Sequence, residues 1–167
     1  ARSNEMFKTH TCGELRKSHA GQTTTLAGWV HRRRDHGGVI FIDLRDRFGL
    51  TQIVINPANV DPESFKRGES LRGEFVVQIT GLINARPEGM ANPKMATGEI
   101  EVMVNKLEIL NPAKTPPFEI DSDGMDTRED LRLQYRFLDL RRERMTHNMN
   151  VRHRFVKFIR DYLDNRG

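Results

Sequence analysis

Hydrophobic positions in the first two thirds of the chain recur with a period of two, the spacing of strands that bury one face. In the segment Val39 to Arg47, Ile40, Ile42 and Leu44 fall on one side, and Phe41, Asp43 and Arg45 on the other. A first strand precedes it, over about Thr23 to Arg34, after the turn-like Ala20-Gly21. A Phe48-Gly49 turn leads into a third strand, Leu50 to Asn56, where Ile53 and Ile55 share a face and Asn56-Pro57 is the stop. Residues 61–72 change to helical spacing: Asp61 can cap, Pro62 suits the first turn, and Phe65 and Leu71 can pack. A fourth strand runs from Phe75 to about Arg86, with Phe75, Val77, Ile79 and Ile83 on one side. A fifth runs from Glu99 to Leu110, where the parity of Ile100, Val102 and Val104 is not that of Leu107 and Ile109, which predicts a bulge near Asn105.

Past residue 110 the pattern changes. Asn111 to Met125 carries Pro112, Pro116 and Pro117 and the acidic Glu119, Asp121 and Asp123, and reads as a linker. Asp126 and Thr127 offer caps for a helix through EDLRLQYRFLDLRRE. From Glu143 to Asn165, Met145, Met149, Phe155, Phe158, Ile159, Tyr162 and Leu163 form a helical stripe with basic residues on the other faces. The expected organisation is a disordered or tag-like N-terminus at 1–10, a strand-rich domain at 11–110, a linker at 111–126, and at 127–167 the start of a second domain. That stripe has no domain of its own to pack on, so the chain is expected to be part of a longer protein; a helix folding back on the strands is the alternative.

Strand-strand-strand-helix-strand-strand is the order of the OB-fold, a small Greek-key barrel. The predicted fold class is therefore mainly β: a five-stranded OB-fold barrel with a short helix between strands three and four, then a linker and helices. An SH3-like barrel has the same strand count but usually lacks that helix. The loop between strands four and five, RPEGMANPKMATG, is long and rich in Gly, Pro and Asn. OB-folds bind oligonucleotides on the face of strands two and three with help from their loops. Phe41, Arg45 and Gln52 lie on those strands.

Composition narrows the classes without choosing among them. Hydrophobic residues make up 37% and charged residues 30% of 167, which suits a globular chain rather than a disordered or collagen-like one. No apolar run approaches the ~20 residues of a membrane span, and the N-terminus carries no apolar signal-like segment. A single cysteine, Cys12, excludes an internal disulfide and, with scattered histidines, makes a zinc site implausible. A reducing cytoplasm is the expected setting. The net charge of +4 is uneven: +2 over residues 1–110, −3 over 111–127 and +5 over 128–167. This mild basic excess permits a polyanion partner without requiring one.

The candidate chemistry is concentrated in WVHRRRDHGGVIFIDLRDRFGLTQ, Trp29 to Gln52. A strand that buries Ile40, Ile42 and Leu44 presents Phe41 on its wet side, flanked by charge and preceded by Arg32, Arg33 and Arg34. An exposed ring beside guanidinium groups suits stacking of an unpaired base and holding of its phosphates. A solvated charged hairpin with Phe41 tucked under a loop fits these residues equally well. His31, His36 and Asp43 lack a nucleophile or pocket, so no catalytic role and no metal role is assigned.

Three blocks in order, GWVHRRRDHGGVIFIDLRDRFGLTQIV, ATGEIEV (Ala96 to Val102) and YRFLDLRR (Tyr135 to Arg142), resemble the N-terminal part of bacterial-type aspartyl-tRNA synthetases, class II enzymes. The resemblance runs from about Thr11 to the end; the asparaginyl and lysyl enzymes fit the first two blocks less well. It implies an OB domain that binds the tRNA anticodon loop. Phe41 would stack on an anticodon base, and Gln52 and Glu101 would hydrogen-bond base edges, a carboxylate being suited to accept from amino and imino donors. Arg32, Arg34 and Arg86 would match or adjoin backbone- or base-touching positions, while Arg33, on the opposite strand face, is expected to pair with Asp35 or Asp46. Residues 127–167 would begin the catalytic domain, with the final helix opening the first class II motif at a dimer interface. The motifs for ATP and aspartate are absent here, so the resemblance implies an inactive fragment without cofactor, whose parent uses ATP and magnesium to charge tRNA-Asp. Relaxed members also charge tRNA-Asn. Strict members tend to have leucine where this chain has His36 and lysine where it has Gly89, so His36 and Gly89 resemble the relaxed kind; a small or adaptable loop accepts either pyrimidine. A free-standing OB-type single-strand binder is the alternative, and it leaves Tyr135 to Gly167 without a use.

Overall fold

The computed structural model describes residues 7–167 and divides into two compact units, one ending at Thr115 and the other starting at Pro116. The first contains β1 (Thr23–His36), β2 (Val39–Arg45), β3 (Leu50–Ile55), α1 (Pro62–Ser70), β4 (Val76–Ala85) and β5 (Ile100–Asn111). The strands close on themselves in the order β1-β2-β3-β5-β4, with β4 pairing back to β1; only β3 and β5 run parallel. This is the expected OB topology, with its helix between β3 and β4.

Alternation builds the core. Ile40, Ile42, Leu44, Ile53, Ile55, Val102 and Val104 are completely buried and join Leu26, Val30, Val77, Ile79, Ile83, Ile100 and Leu107 in one cluster. Each such side chain contributes roughly 1.5–3 kcal/mol by leaving water. The predicted bulge is present: Thr80 pairs with Lys106 and Gly81 with Val104, so Asn105 is skipped. Two further register shifts had no counterpart in the sequence reading, one at the end of β5, where Leu110 is skipped, and one in β1. Val30 opposes Leu44 and Arg32 opposes Asp43, which skips His31.

Two strand ends differ from expectation for local reasons. β1 continues to His36 because Gly37 and Gly38, at φ +62 and +83, make a two-residue hairpin loop that keeps His36 paired with Val39. Positive φ at both loop positions matches the right-handed twist of the strands. β2 stops at Arg45 because the Asp46 carboxylate accepts from the backbone N–H of Phe48 (2.7 Å) and Gly49 (3.1 Å) and turns the chain.

Helix α1 seals one end of the core. The Asp61 carboxylate caps it, accepting from Ser64 N at 2.9 Å. The Ser64 hydroxyl accepts from Leu107 N at 3.1 Å, and Arg67 donates to Leu107 O at 3.0 Å. Gly68 lies where a Cβ would stand 3.0 Å from Ile55 Cδ1, so the missing side chain allows the close approach.

Of the N-terminal stretch expected to be disordered through residue 10, residues 1–6 lie outside the described residues. The remainder is tied down: Thr9 N donates to Thr25 O at 2.9 Å, and Lys8 Nζ meets Asp46 Oδ2 at 2.8 Å. Cys12 follows, buried, its N–H on Asp46 Oδ2 at 3.0 Å and its carbonyl accepting from Thr51 at 2.7 Å.

The second unit contains α2 (Glu129–Gln134), α3 (Arg136–Asp139) and α4 (Glu143–Asp164). Its centre is the fully buried Asp139 carboxylate, on which Arg132 (3.1 Å), Arg136 (2.6 Å) and Arg142 (3.2 Å) converge. Arg142 is itself fully buried; it donates to Ser122 O at 3.0 Å and Thr127 Oγ1 at 3.1 Å and lies over the Phe118 ring at 4.7 Å. The stretch expected as a linker therefore divides: residues from Pro116 onward belong to this unit and hold its buried arginine. The Thr127 hydroxyl serves Arg142, and α2 has its N-cap at Arg128, without a side-chain cap, rather than at Asp126 or Thr127. On α4, Phe155, Phe158, Tyr162 and Leu163 are exposed, while Met145 is buried. Among the described residues no helix is long and apolar enough to cross a membrane.

Candidate nucleic-acid interface

With Ile40, Ile42 and Leu44 turned into the core, Phe41 faces outward and is half-buried. Strand pairing fixes its neighbours, because residues directly opposite share a face. Arg34 of β1 and Val54 of β3 lie opposite Phe41; Arg32 and Gln52 lie opposite Asp43 one outward position further along. The His36 ring meets the Phe41 ring edge-on, with centroids 5.8 Å apart at 64°. The expectation of an outward aromatic among arginines holds, and the reading with Phe41 tucked under a loop does not.

Charge around the ring is organised rather than merely abundant. Arg34 Nη2 donates to Asp43 Oδ1 at 2.7 Å, which fixes the guanidinium beside Phe41. Arg33, on the other strand face, lies 3.7 Å from Asp35, as expected for one of its two named partners. Arg45 is placed differently from the rest. It donates both guanidinium bonds to Glu74 (2.9 and 2.8 Å) and a third to His31 Nδ1 at 3.0 Å. It stands four residues from Phe41 along β2, about 13 Å at strand rise. The structure thus groups Arg32, Arg34, His36, Phe41, Gln52 and Glu101, and engages Arg45 elsewhere.

Gln52 and Glu101 come together across the parallel β3–β5 seam, Gln52 Nε2 donating to Glu101 Oε2 at 3.2 Å. Amide and carboxylate groups of this kind can also meet the donors and acceptors of a base edge. Arg86 closes the group, its Nε 4.0 Å from Glu101 Oε2 and bonded to Ile100 O at 3.1 Å. Its Nη2 is buried and, among the described residues, has no hydrogen-bond partner. Gly89, at φ +80, turns the loop after β4, where Met90 N donates to Pro87 O at 3.0 Å; nothing lies within 4 Å of where its Cβ would be. Asp43, expected on the outward face but given no role there, aims Arg34; Asn84, which opposes Glu101, was not named. Asn84 could have been found as the outward complement of the apolar alternation.

A face of strands two and three carrying an outward ring, cations and hydrogen-bonding edges defines an OB domain built to hold single-stranded nucleic acid. The family profile described as OB-fold nucleic acid binding domain matches residues 24–110, and the chain belongs to that family. A second profile, tRNA synthetases class II (D, K and N), matches residues 128–167.

The particular relatives carry one name. The chain is 54% identical over 162 residues to the aspartate–tRNA(Asp/Asn) ligase of Moorella thermoacetica, which covers 97% of this chain and 26% of that protein. It is 52% identical over 164 residues to the ligase of the same name from Halothermothrix orenii, 98% of this chain and 28% of that protein. It thus corresponds to the N-terminal region of bacterial-type aspartyl-tRNA synthetases, and spans about a quarter of the length of these relatives. Among solved structures, the asparaginyl-tRNA synthetase of Pyrococcus horikoshii with asparaginyl-adenylate is similar at TM-score 0.77 and 28% identity, over 95% of this chain and 34% of that one. The aspartyl-tRNA synthetase of Entamoeba histolytica shares the fold at TM-score 0.83 and 20% identity, over 98% and 38%.

The parent class implies ATP and magnesium. Among the described residues no group of three or more His, Cys, Asp or Glu could hold a metal ion.

Proposed function

We propose that this region binds the anticodon loop of tRNA-Asp, and of tRNA-Asn as well, for an aspartate–tRNA ligase. The carrying observation is the pairing, on one outward face, of the Phe41 ring with the Gln52–Glu101 hydrogen-bonding group. A base has an apolar face and a polar edge, and the two features meet one each. Arg32, Arg34 and Arg86 supply the cations that phosphates require.

The whole enzyme would activate aspartate with ATP and magnesium and transfer it to the tRNA, in the cytoplasm. It would act as a homodimer, for which the exposed apolar stripe of α4 is a suitable surface. For relaxed specificity, the support is the name that the relatives carry and the chemistry at two loops. Gly89 leaves open space where a lysine would stand, and His36 is an adaptable ring at the hairpin end.

The test is binding to anticodon stem-loops carrying GUC, GUU and a scrambled triplet at fixed salt. Preference for GUC and GUU over the scramble is expected, with similar affinity for both. Preference for GUC alone would remove the relaxed reading. Equal binding to all three would overturn anticodon recognition and return the free-standing single-strand binder.

A further inference from the structure

The outward face of the sheet carries two adjoining bands of different chemistry. One runs Phe41, Val54, Met103, Leu82, each directly opposite the next on β2, β3, β5 and β4. The other lies one outward position away and runs Asp43, Gln52, Glu101, Asn84. Arg34 heads the first on β1 and Arg32 the second. Val54 is covered, at 3% exposure, and stands outside the main core cluster; Met103 is half-buried, and Leu82 is 39% exposed. The apolar band therefore surfaces again at Met103, two strands away from Phe41.

We propose that Met103 is a second base platform, receiving the nucleotide next to the one stacked on Phe41. This rests on the anticodon-binding reading and extends it to a residue outside the sites assigned so far. Two strand spacings of about 4.8 Å put Met103 roughly 10 Å from Phe41. A base centred over the Phe41 ring lies about 10 Å along the sheet from Met103 and so leaves Met103 for a neighbouring base. A thioether is polarizable and makes favourable contact with an aromatic ring. A base lying on Met103 has Glu101 on the neighbouring outward position of the same strand, within reach of its amino or imino edge. An apolar protein partner fits this face poorly, because covering Met103 would also bury Glu101, Gln52 and the arginines of the adjoining band.

The test crosses protein variants with RNA changes. Met103→Ala should weaken binding of the GUC stem-loop roughly two- to tenfold, and Met103→Leu should leave it near wild type. An abasic nucleotide is then placed at each anticodon position in turn. The Met103→Ala penalty should vanish at one position, and that position should neighbour the one that cancels a Phe41→Ala penalty. An unchanged affinity for Met103→Ala, a penalty that persists at every position, or cancellation at the Phe41 position would each overturn the proposal. Should Met103→Ala cost the fold, Met103→Gln, unbranched and of similar length, is used with the same expectation. If the wild type prefers GUC and GUU over the scramble while Met103 variants are silent, Met103 alone is ruled out. If the wild type has no such preference, both readings fall together.

Discussion

Removing the Phe41 ring separates stacking from packing, provided two substitutions are compared. The ring is half-buried, faces outward and is steadied by the His36 edge at 5.8 Å. Stacking of one base on an aromatic is worth about 1–3 kcal/mol by alanine substitution. A ring already held by its neighbours has little freedom left to lose on binding, which favours the upper half of that range. Phe41→Ala should therefore cost about 2–3 kcal/mol, a loss of roughly 30- to 150-fold in affinity. The ring is half-buried and opposite Val54, so some stability is lost as well, less than the roughly 3–5 kcal/mol of truncating a fully buried phenylalanine. Phe41→Leu keeps apolar cover over Val54 and has no π face. It should bind nearly as weakly as alanine while melting close to wild type. Fluorescence anisotropy with the GUC stem-loop at fixed salt, beside thermal melts, reads both quantities. Wild-type affinity in either variant would refute stacking on Phe41.

Three further outcomes test other parts of the structure. Burial alone would raise the Asp46 carboxyl, but Lys8 and the N–H groups of Cys12 and Phe48 outweigh it and hold the group below its ordinary range. Stability from this group is then complete above the ordinary aspartate range and is lost as pH falls toward the lower folded-state value; Asp46→Asn should flatten that acid limb in melts against pH, and an unchanged limb would remove Asp46 from it. Burial, assisted by Asp46, pushes the Cys12 thiol up to about 12, so the native protein should resist iodoacetamide at neutral pH and react once unfolded; rapid native labelling would contradict the buried placement. Asp139→Ala leaves the fully buried Arg142 without its counter-charge and should destabilise the second unit by roughly 3–5 kcal/mol, seen as faster amide exchange over residues 118–145; unchanged exchange would refute the buried cluster.

Legibility followed the apolar residues. The Asn105 bulge was readable because Val104 and Leu107 stand on either side of it and their parity disagrees. The His31 bulge was not, because beyond Val30 the strand continues as charged residues with no apolar parity to compare. Phe41 and Gln52 could be placed on one face from the buried isoleucines beside them, whereas Glu101 joined them only through the resemblance. Arg45 shares that alternation, yet its partner Glu74 is 29 positions away in a turn at φ +67. No pattern local to β2 carries that information. The proline-rich stretch after residue 111 read as a linker for the same reason: the role of Ser122 and Thr127 depends on an arginine still to come.

The unread bulge is also what makes the site. Along β1, Leu26, Gly28 and Val30 face the core, and unbroken alternation would send Arg32 and Arg34 inward after them. Skipping His31 reverses the phase, so Arg32 meets Asp43 and Arg34 meets Phe41 on the outer face. Bulges re-aim side chains in this way. Arg33 takes the inward phase instead, opposite the buried Ile42, and pairs with Asp35. The three consecutive arginines are thus not equivalent: the middle one takes the inward phase near Asp35, and the outer two, with Arg34 held on Asp43, lie on the outer face where a nucleotide would lie. Substituting Arg33 should act chiefly on the hairpin end, and substituting Arg32 or Arg34 chiefly on RNA affinity and its salt dependence, a division set by register rather than by composition.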